Sequence, residues 1–141
     1  MEVLIGKGTS LVPFGITEKQ AIKLLGEPQK FFYTDGDSKR LQYYEHLIEL
    51  SFEPDNDNRL GWIEVHNPSA LFGGEKIVGR PQKWVLDYVS SQCNEIAEIE
   101  DYGSMLSASF DKSWVEVQFE FGKCCCINLG VLYDENDAPI W

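Results

Sequence analysis

"LIELSFE", residues 47 to 53, lies residue for residue over "WVEVQFE", residues 114 to 120. Both read apolar, apolar, Glu, apolar, polar, Phe, Glu, the alternation of a strand with one buried face. At the same offset upstream, Tyr43 lies over Phe110 and Gly36 over Gly103. Downstream, "LGWIE" (60 to 64) matches "LGVLY" (129 to 133) if the second connection is two residues longer.

Each copy follows a helix signal. In "GITEKQAIKLLGEP" (15 to 28) Thr17 is placed as N-cap, Gln20 completes a capping box, and Gly26 with Pro28 stops the helix. Ala21, Ile22, Leu24 and Leu25 give it an apolar face. "GRPQKWVLDYVSSQ" (79 to 92) reads the same way, with Trp84, Val85, Leu86, Tyr88 and Val89 as its apolar positions. Strand signals follow: "KFFYT", "RLQYYE", "LIELSFE" and "LGWIEVH" after the first helix, then "EIAEIED", "SMLSASF", "WVEVQFEF" and a run ending in "INLGVLY" after the second. Turn residues separate them.

The pattern predicts one α+β domain over residues 1 to 141, built of two tandem repeats at about 15–66 and 79–133. Each repeat is a helix followed by an antiparallel meander, giving about eight strands with two main helices packed on the sheet. Alternation sends Ile48, Leu50 and Phe52, and Val115, Val117, Phe119 and Phe121, toward the core. Glu49, Ser51 and Glu53, and Glu116, Gln118 and Glu120, then form an acidic outer face.

Charge narrows the function. With 12 Lys and Arg against 23 Asp and Glu, the net charge is −11. That balance opposes binding to nucleic acid, which needs cations to replace counterions, and to anionic membranes. It suits a basic protein partner. No apolar run approaches the roughly 18 residues of a membrane span. The opening "MEVLIGKGTS" lacks the pattern of a signal peptide, so a cytoplasmic location is expected.

Little in the chain reads as chemistry. On the repeat, "KCCCIN" (123 to 128) falls where the first copy carries "DNDNR", so Cys124, Cys125 and Cys126 are expected in a turn and strand entry. Within a strand, Cys124 and Cys126 would share a face and Cys125 would oppose them. Cysteine packs as a small hydrophobe; metal and redox chemistry are the alternatives. The chain has no C-x₂-C pair, and Cys93 stands alone, so no metal set is expected. "IGKGTS" lacks phosphate-loop spacing, and "DGDSK" and "DNDNR" lack the offsets of a calcium loop. No nucleophile motif accompanies His46 or His66. The expectation is a non-enzyme with no catalytic residue, metal or cofactor.

The aromatics carry more. Trp62 shares a strand face with Glu64 and His66, opposite Ile63 and Val65. Of adjacent Tyr43 and Tyr44, one must leave the core. Aromatics ringed by acids suit a protein-binding surface, where rings anchor and charges steer. The candidate binding residues are Glu49, Glu53, Asp55, Asp57, Trp62, Glu64, Glu116 and Glu120.

Two resemblances add to this. "FGITEKQAIKLLGEP" (14 to 28) resembles the opening of BamE/SmpA-type modules, small α/β units of bacterial outer-membrane assembly lipoproteins. The lipoprotein role is not expected here. More broadly, size, acidity and the pattern "LGEP…DGDS…LIELSFE…RLGWIEVHNP…LFG" resemble bacterial immunity proteins of contact-dependent growth inhibition and other polymorphic toxin systems. That resemblance implies a non-enzymatic inhibitor that binds a cognate toxin domain, often a nuclease, and blocks its active or substrate-binding surface. The alternative is a small-ligand or peptide-binding scaffold module of the bacterial cytosol, using a cleft between the repeats.

Overall fold

The computed structural model describes residues 1–141. It is an α+β protein with strands β1 (Glu2–Leu4) and β2 (Gly8–Thr9), helix α1 (Glu18–Leu25), and strands β3 (Lys30–Tyr33), β4 (Lys39–Tyr43), β5 (Ile48–Glu53) and β6 (Arg59–Val65). Strands β7 (Leu71–Phe72) and β8 (Glu75–Lys76) precede helix α2 (Gln82–Cys93). Strands β9 (Glu98–Asp101), β10 (Met105–Phe110), β11 (Val115–Glu120) and β12 (Lys123–Gly130) complete it.

Local chemistry sets the first helix. The Thr17 hydroxyl accepts from the Gln20 N–H, and the Gln20 side chain accepts from the Thr17 N–H. Two orphan donors of the helix start are thereby satisfied. Gly26 follows at φ 84°, which ends the helix cheaply.

Eight strands form the main sheet in the order β3-β4-β5-β6-β12-β11-β10-β9, with every neighbour antiparallel. The last strands of the two meanders meet at the centre, with Val65 opposite Ile127 and Trp62 opposite Gly130. The two meanders therefore run outward from this central pair in opposite directions. A second sheet, β2-β1-β7-β8, contains the one parallel pairing, β1 with β7. These four strands, absent from the sequence expectation, are two or three residues long. That is too short to display alternation.

One face of the main sheet is core. Leu41, Leu50, Ile63, Ile127, Val117 and Ala108 join Ala21 of α1, Val85 and Val89 of α2, and Phe72 of β7 in a single apolar cluster. Burial on this scale is the main stabilising term of a domain this size. Tyr43 is drawn under α1, its hydroxyl donating to the Gly26 carbonyl, and burial pushes its phenol up to about 12.

Three register expectations change. A β-bulge interrupts each of the two central hairpins, β5–β6 at Ser51/Phe52 and β11–β12 at Gln118/Phe119. Gly61 and Cys125 are the extra residues, because Phe52 faces Leu60 while Ser51 faces Trp62, and Phe119 faces Cys124 while Gln118 faces Cys126. By pairing, Leu60–Val65 corresponds to Cys124–Leu129, so the second connection is shorter than the first, not longer. The cysteines accordingly lie in β12 and not in a turn. The bulge also breaks their alternation: Cys124 packs in the core, whereas Cys126 joins the outer face beside Asn128. Finally, Phe121 does not point inward. With Gly122 it forms a two-residue turn at φ 53° and 74°, and its ring is 97% exposed.

Candidate functional site

Both helices pack on the apolar face, which leaves the outer face of the main sheet uncovered by either. Alternation delivers to it Arg40 and Gln42 from β4, Glu49 and Ser51 from β5, and Trp62 and Glu64 from β6, with His66 just beyond. Across the centre follow Cys126 and Asn128 from β12, Glu116 and Gln118 from β11, and Ser107 and Ser109 from β10.

These groups form a connected polar band. Arg40 donates to Glu49 (2.9 Å) and to Glu64 Oε1 (3.1 Å), and Gln42 donates to the other Glu49 oxygen at 2.7 Å. Glu64 Oε2 faces His66 Nε2 at 3.5 Å, and that nitrogen lies 3.8 Å from Cys126 Sγ. The Cys126 thiol donates to Asn128 Oδ1, and Asn128 Nδ2 donates to Glu116 at 2.8 Å. Ser107 (2.9 Å) and Gln118 (3.1 Å) also donate to Glu116. Charge is balanced by hydrogen bonds inside the band, as half-buried carboxylates require.

The band shapes its own titration. The hydrogen bond from His66, with Arg40 helping, holds Glu64 below the usual carboxylate range, while Glu64 raises His66 in turn. Burial raises all four thiols, taking Cys124 to about 12, and the neighbouring Glu64 adds to the rise at Cys126. No thiol is therefore poised as a thiolate at neutral pH in the metal-free protein. Two buried atoms of the band, Arg40 Nε on β4 and Ser51 Oγ on β5, have no hydrogen-bond partner.

A cavity opens at each end of the band. One, of about 170 Å³, is lined by Gln42, Tyr43, Tyr44, Leu47, Glu49 and His66. The other, of about 220 Å³, is lined by Trp62, Ser109, Asp111, Trp114 and Glu116. They occupy matching places in the two halves. Leu47 and Trp114 each precede a matching strand at φ 52° and 51°, and their carbonyls accept from His66 and Gly130. A Cβ at Gly130 would come to 3.0 Å from the Trp62 indole and 3.1 Å from the Trp114 indole, so both rings would have to give by a few tenths of an ångström. The absence of a side chain lets both indoles close over the strand.

Of the sequence-expected residues, Glu49, Trp62, Glu64 and Glu116 come together on this face. Glu53 sits at the end of β5 opposite Arg59, and Asp55 and Asp57 lie in the exposed turn beyond it. Glu120 is exposed at the opposite end, beside the Phe121 turn. The acidic face is thus partly neutralised by Arg40, and its central carboxylates are half-buried and not free. Sequence reasoning passed over Arg40, Trp114, Asn128 and Cys126. Arg40 and Trp114 each stand at an outward-facing alternation position and could have been found; the placing of Cys126 depends on the bulge.

No helix is long and apolar enough to cross a membrane. The fold defines a class: a two-layer α+β protein with one helix-covered and one uncovered face on an antiparallel sheet. Comparison with protein-family models finds no match, and comparison with curated proteins finds none. Among solved structures, the chain is similar to an extracellular protein containing an SCP domain from Bacillus anthracis str. Ames, at 8% identity and a TM-score of 0.55. The match covers 83% of this chain and 43% of that one. It is also similar to a DUF4309 family protein, YjgB, from Bacillus subtilis subsp. subtilis str. 168, at 13% identity and a TM-score of 0.50, covering 89% and 88% of the two chains. At such identities the likeness is one of fold alone.

Proposed function

We propose that this chain is a non-catalytic binding protein of the immunity-protein kind, which neutralises a basic toxin domain, a nuclease in the leading case. It acts in the cytoplasm by laying its uncovered sheet face over the toxin's active or substrate-binding surface. The observation that carries this reading is the arrangement of that face: a carboxylate-rich band with a small cavity at each end, the larger one walled by two tryptophans. A Trp-walled cavity with Asp111 and Glu116 at its edge matches a Lys or Arg side chain, by charge and by cation–π attraction. At about 220 Å³ it is smaller than the roughly 300–1,000 Å³ of small-molecule sites and fits one projecting side chain. The net charge of −11 would speed encounter with a basic partner, and the indoles, once covered by it, would slow its release.

The repeat reading belongs with this proposal. The two halves are read as copies of one helix-and-meander unit, supported by the matching bulges, the left-handed Leu47 and Trp114, and the paired cavities. The copies then diverged in their cavity linings, so that one face offers two different anchoring sites.

A second reading, a small-ligand or peptide module, draws on another cavity of about 350 Å³. Val3, Leu4, Leu71, Phe72 and Gln92 line it, at the second sheet and not in a cleft between the halves.

The test is co-expression with the product of the neighbouring gene. Rescue of growth and a stable complex, weakened at least tenfold by Trp114→Ala, support the immunity reading. A small molecule retained in native mass spectrometry, with no rescue, favours the second.

A further inference from the structure

The middle of the outer face brings three different donor groups together. Glu64 and His66 sit two apart on one side of β6 and its extension, and Cys126 stands beside them on β12. Their ligand atoms, a carboxylate oxygen, an imidazole nitrogen and a thiol sulfur, all lie within 4.8 Å of one another. We propose that Glu64, His66 and Cys126 form a binding site for a zinc-class divalent ion.

Two of the three ligand edges are close to what tetrahedral zinc requires, while the carboxylate-to-sulfur edge, within 4.8 Å, has to draw in toward about 3.6 Å. Ligand bonds of about 2.0 Å to nitrogen and oxygen and about 2.3 Å to sulfur place N and O about 3.3 Å apart, and N and S about 3.6 Å apart. The corresponding separations here are 3.5 Å for His66 Nε2 to Glu64 Oε2 and 3.8 Å for His66 Nε2 to Cys126 Sγ. Side-chain shifts of a few tenths of an ångström close those two edges. The donor set, one each of S, N and O, selects a borderline-soft ion over calcium or magnesium.

The surroundings are built as a ligand shell. Arg40 holds Glu64 by Oε1, leaving Oε2 turned toward His66. In the protein without metal the Cys126 thiol donates to Asn128 Oδ1, and Asn128 is itself anchored on Glu116, which places the sulfur; that thiol hydrogen bond is given up when the thiolate binds the ion. Such outer partners orient metal ligands elsewhere. Cys126 is almost fully buried while His66 is exposed, so an ion enters from the His66 side, where the smaller cavity opens. On uptake the Cys126 S–H proton and the proton that His66 Nε2 holds toward Glu64 both leave to solvent, and the freed electron pairs on sulfur and nitrogen form the bonds to the metal. One carboxylate and one thiolate then neutralise the divalent charge, and a fourth position is left for water. The site does not depend on the identity of any partner protein.

Cobalt(II) serves as a spectroscopic probe, with zinc by calorimetry, on the reduced, metal-stripped full chain. The expected result is one ion per chain with thiolate-to-cobalt charge-transfer absorption. Cys126→Ala abolishes the absorption, His66→Ala weakens binding at least tenfold, and Cys125→Ala leaves both unchanged. His66 is exposed, so its variant gives a reading even if Cys126→Ala folds poorly. Absence of the thiolate absorption, or its persistence in Cys126→Ala with affinity unchanged in His66→Ala, overturns the proposal.

Discussion

Glu49 and Glu116 occupy matching places in the two halves of the main sheet, yet they are satisfied by different chemistry. Glu49 receives a guanidinium, Arg40, together with Gln42. Glu116 receives only neutral donors, Ser107, Gln118 and Asn128. The same contrast extends outward, where Leu47 and His66 border one cavity and Trp114 and Trp62 the other. The sheet thus carries a charged end with an imidazole and an end walled by two indoles. The backbone fixes where side chains stand; only their chemistry decides what each end can hold.

The largest effect should come from the charged half. Arg40→Ala leaves Glu49 and Glu64 half-buried without their cation, and should lower stability by about 3 kcal/mol in urea unfolding. Ser107→Ala removes one of three neutral donors to Glu116 and should cost about 1 kcal/mol. Equal losses would break the comparison.

The hairpins offer a smaller contrast. Asp57 and Asn58 hold the left-handed positions of the first connection, at φ 55° and 56°, and tolerate them. In the second, Phe121 does so with its ring in solvent. Phe121→Asn should therefore stabilise the protein by about 1 kcal/mol, read from the same urea midpoint. Asn58→Gly should change it by only a few tenths of a kcal/mol.

The smallest effect is the pH response of the titratable end. His66 is raised above its ordinary 6.5, so its contribution is complete below that value and fades as pH rises through the folded value. Glu64 is lowered from 4.5, so its contribution holds above that value and is lost as pH falls through the folded one. In the metal-free protein, His66→Ala should thus be less stable than the wild type near pH 6 and nearly equal to it near pH 9. Solvent screening at this half-exposed pair limits the difference to less than about 1 kcal/mol. A difference that grows with pH would contradict the assignment.

How far these features were legible depends on their range in sequence. The Thr17–Gln20 capping box and the alternation of β5 and β11 are local, and both could be read directly. The pairing of β6 with β12 is not local, and it alone brings Cys126 to His66. The bulges at Gly61 and Cys125 have no signal in alternation, and they shifted the expected register of everything after them. The acidic face was legible as charge, but the burial of its central carboxylates follows from Arg40 and Asn128, which reach them across strands.

The central claim, that the uncovered face binds a basic protein through its aromatic end, is tested most directly by calorimetric titration of the neighbouring gene's product. Wild type, Trp114→Ala and Ile96→Ser should be compared, the last altering an exposed apolar residue in the connection from α2 to β9, outside the strands of this face. The account predicts that affinity falls with salt and drops at least tenfold in Trp114→Ala, while Ile96→Ser matches the wild type. Equal affinity of all three proteins, or loss confined to Ile96→Ser, would contradict it.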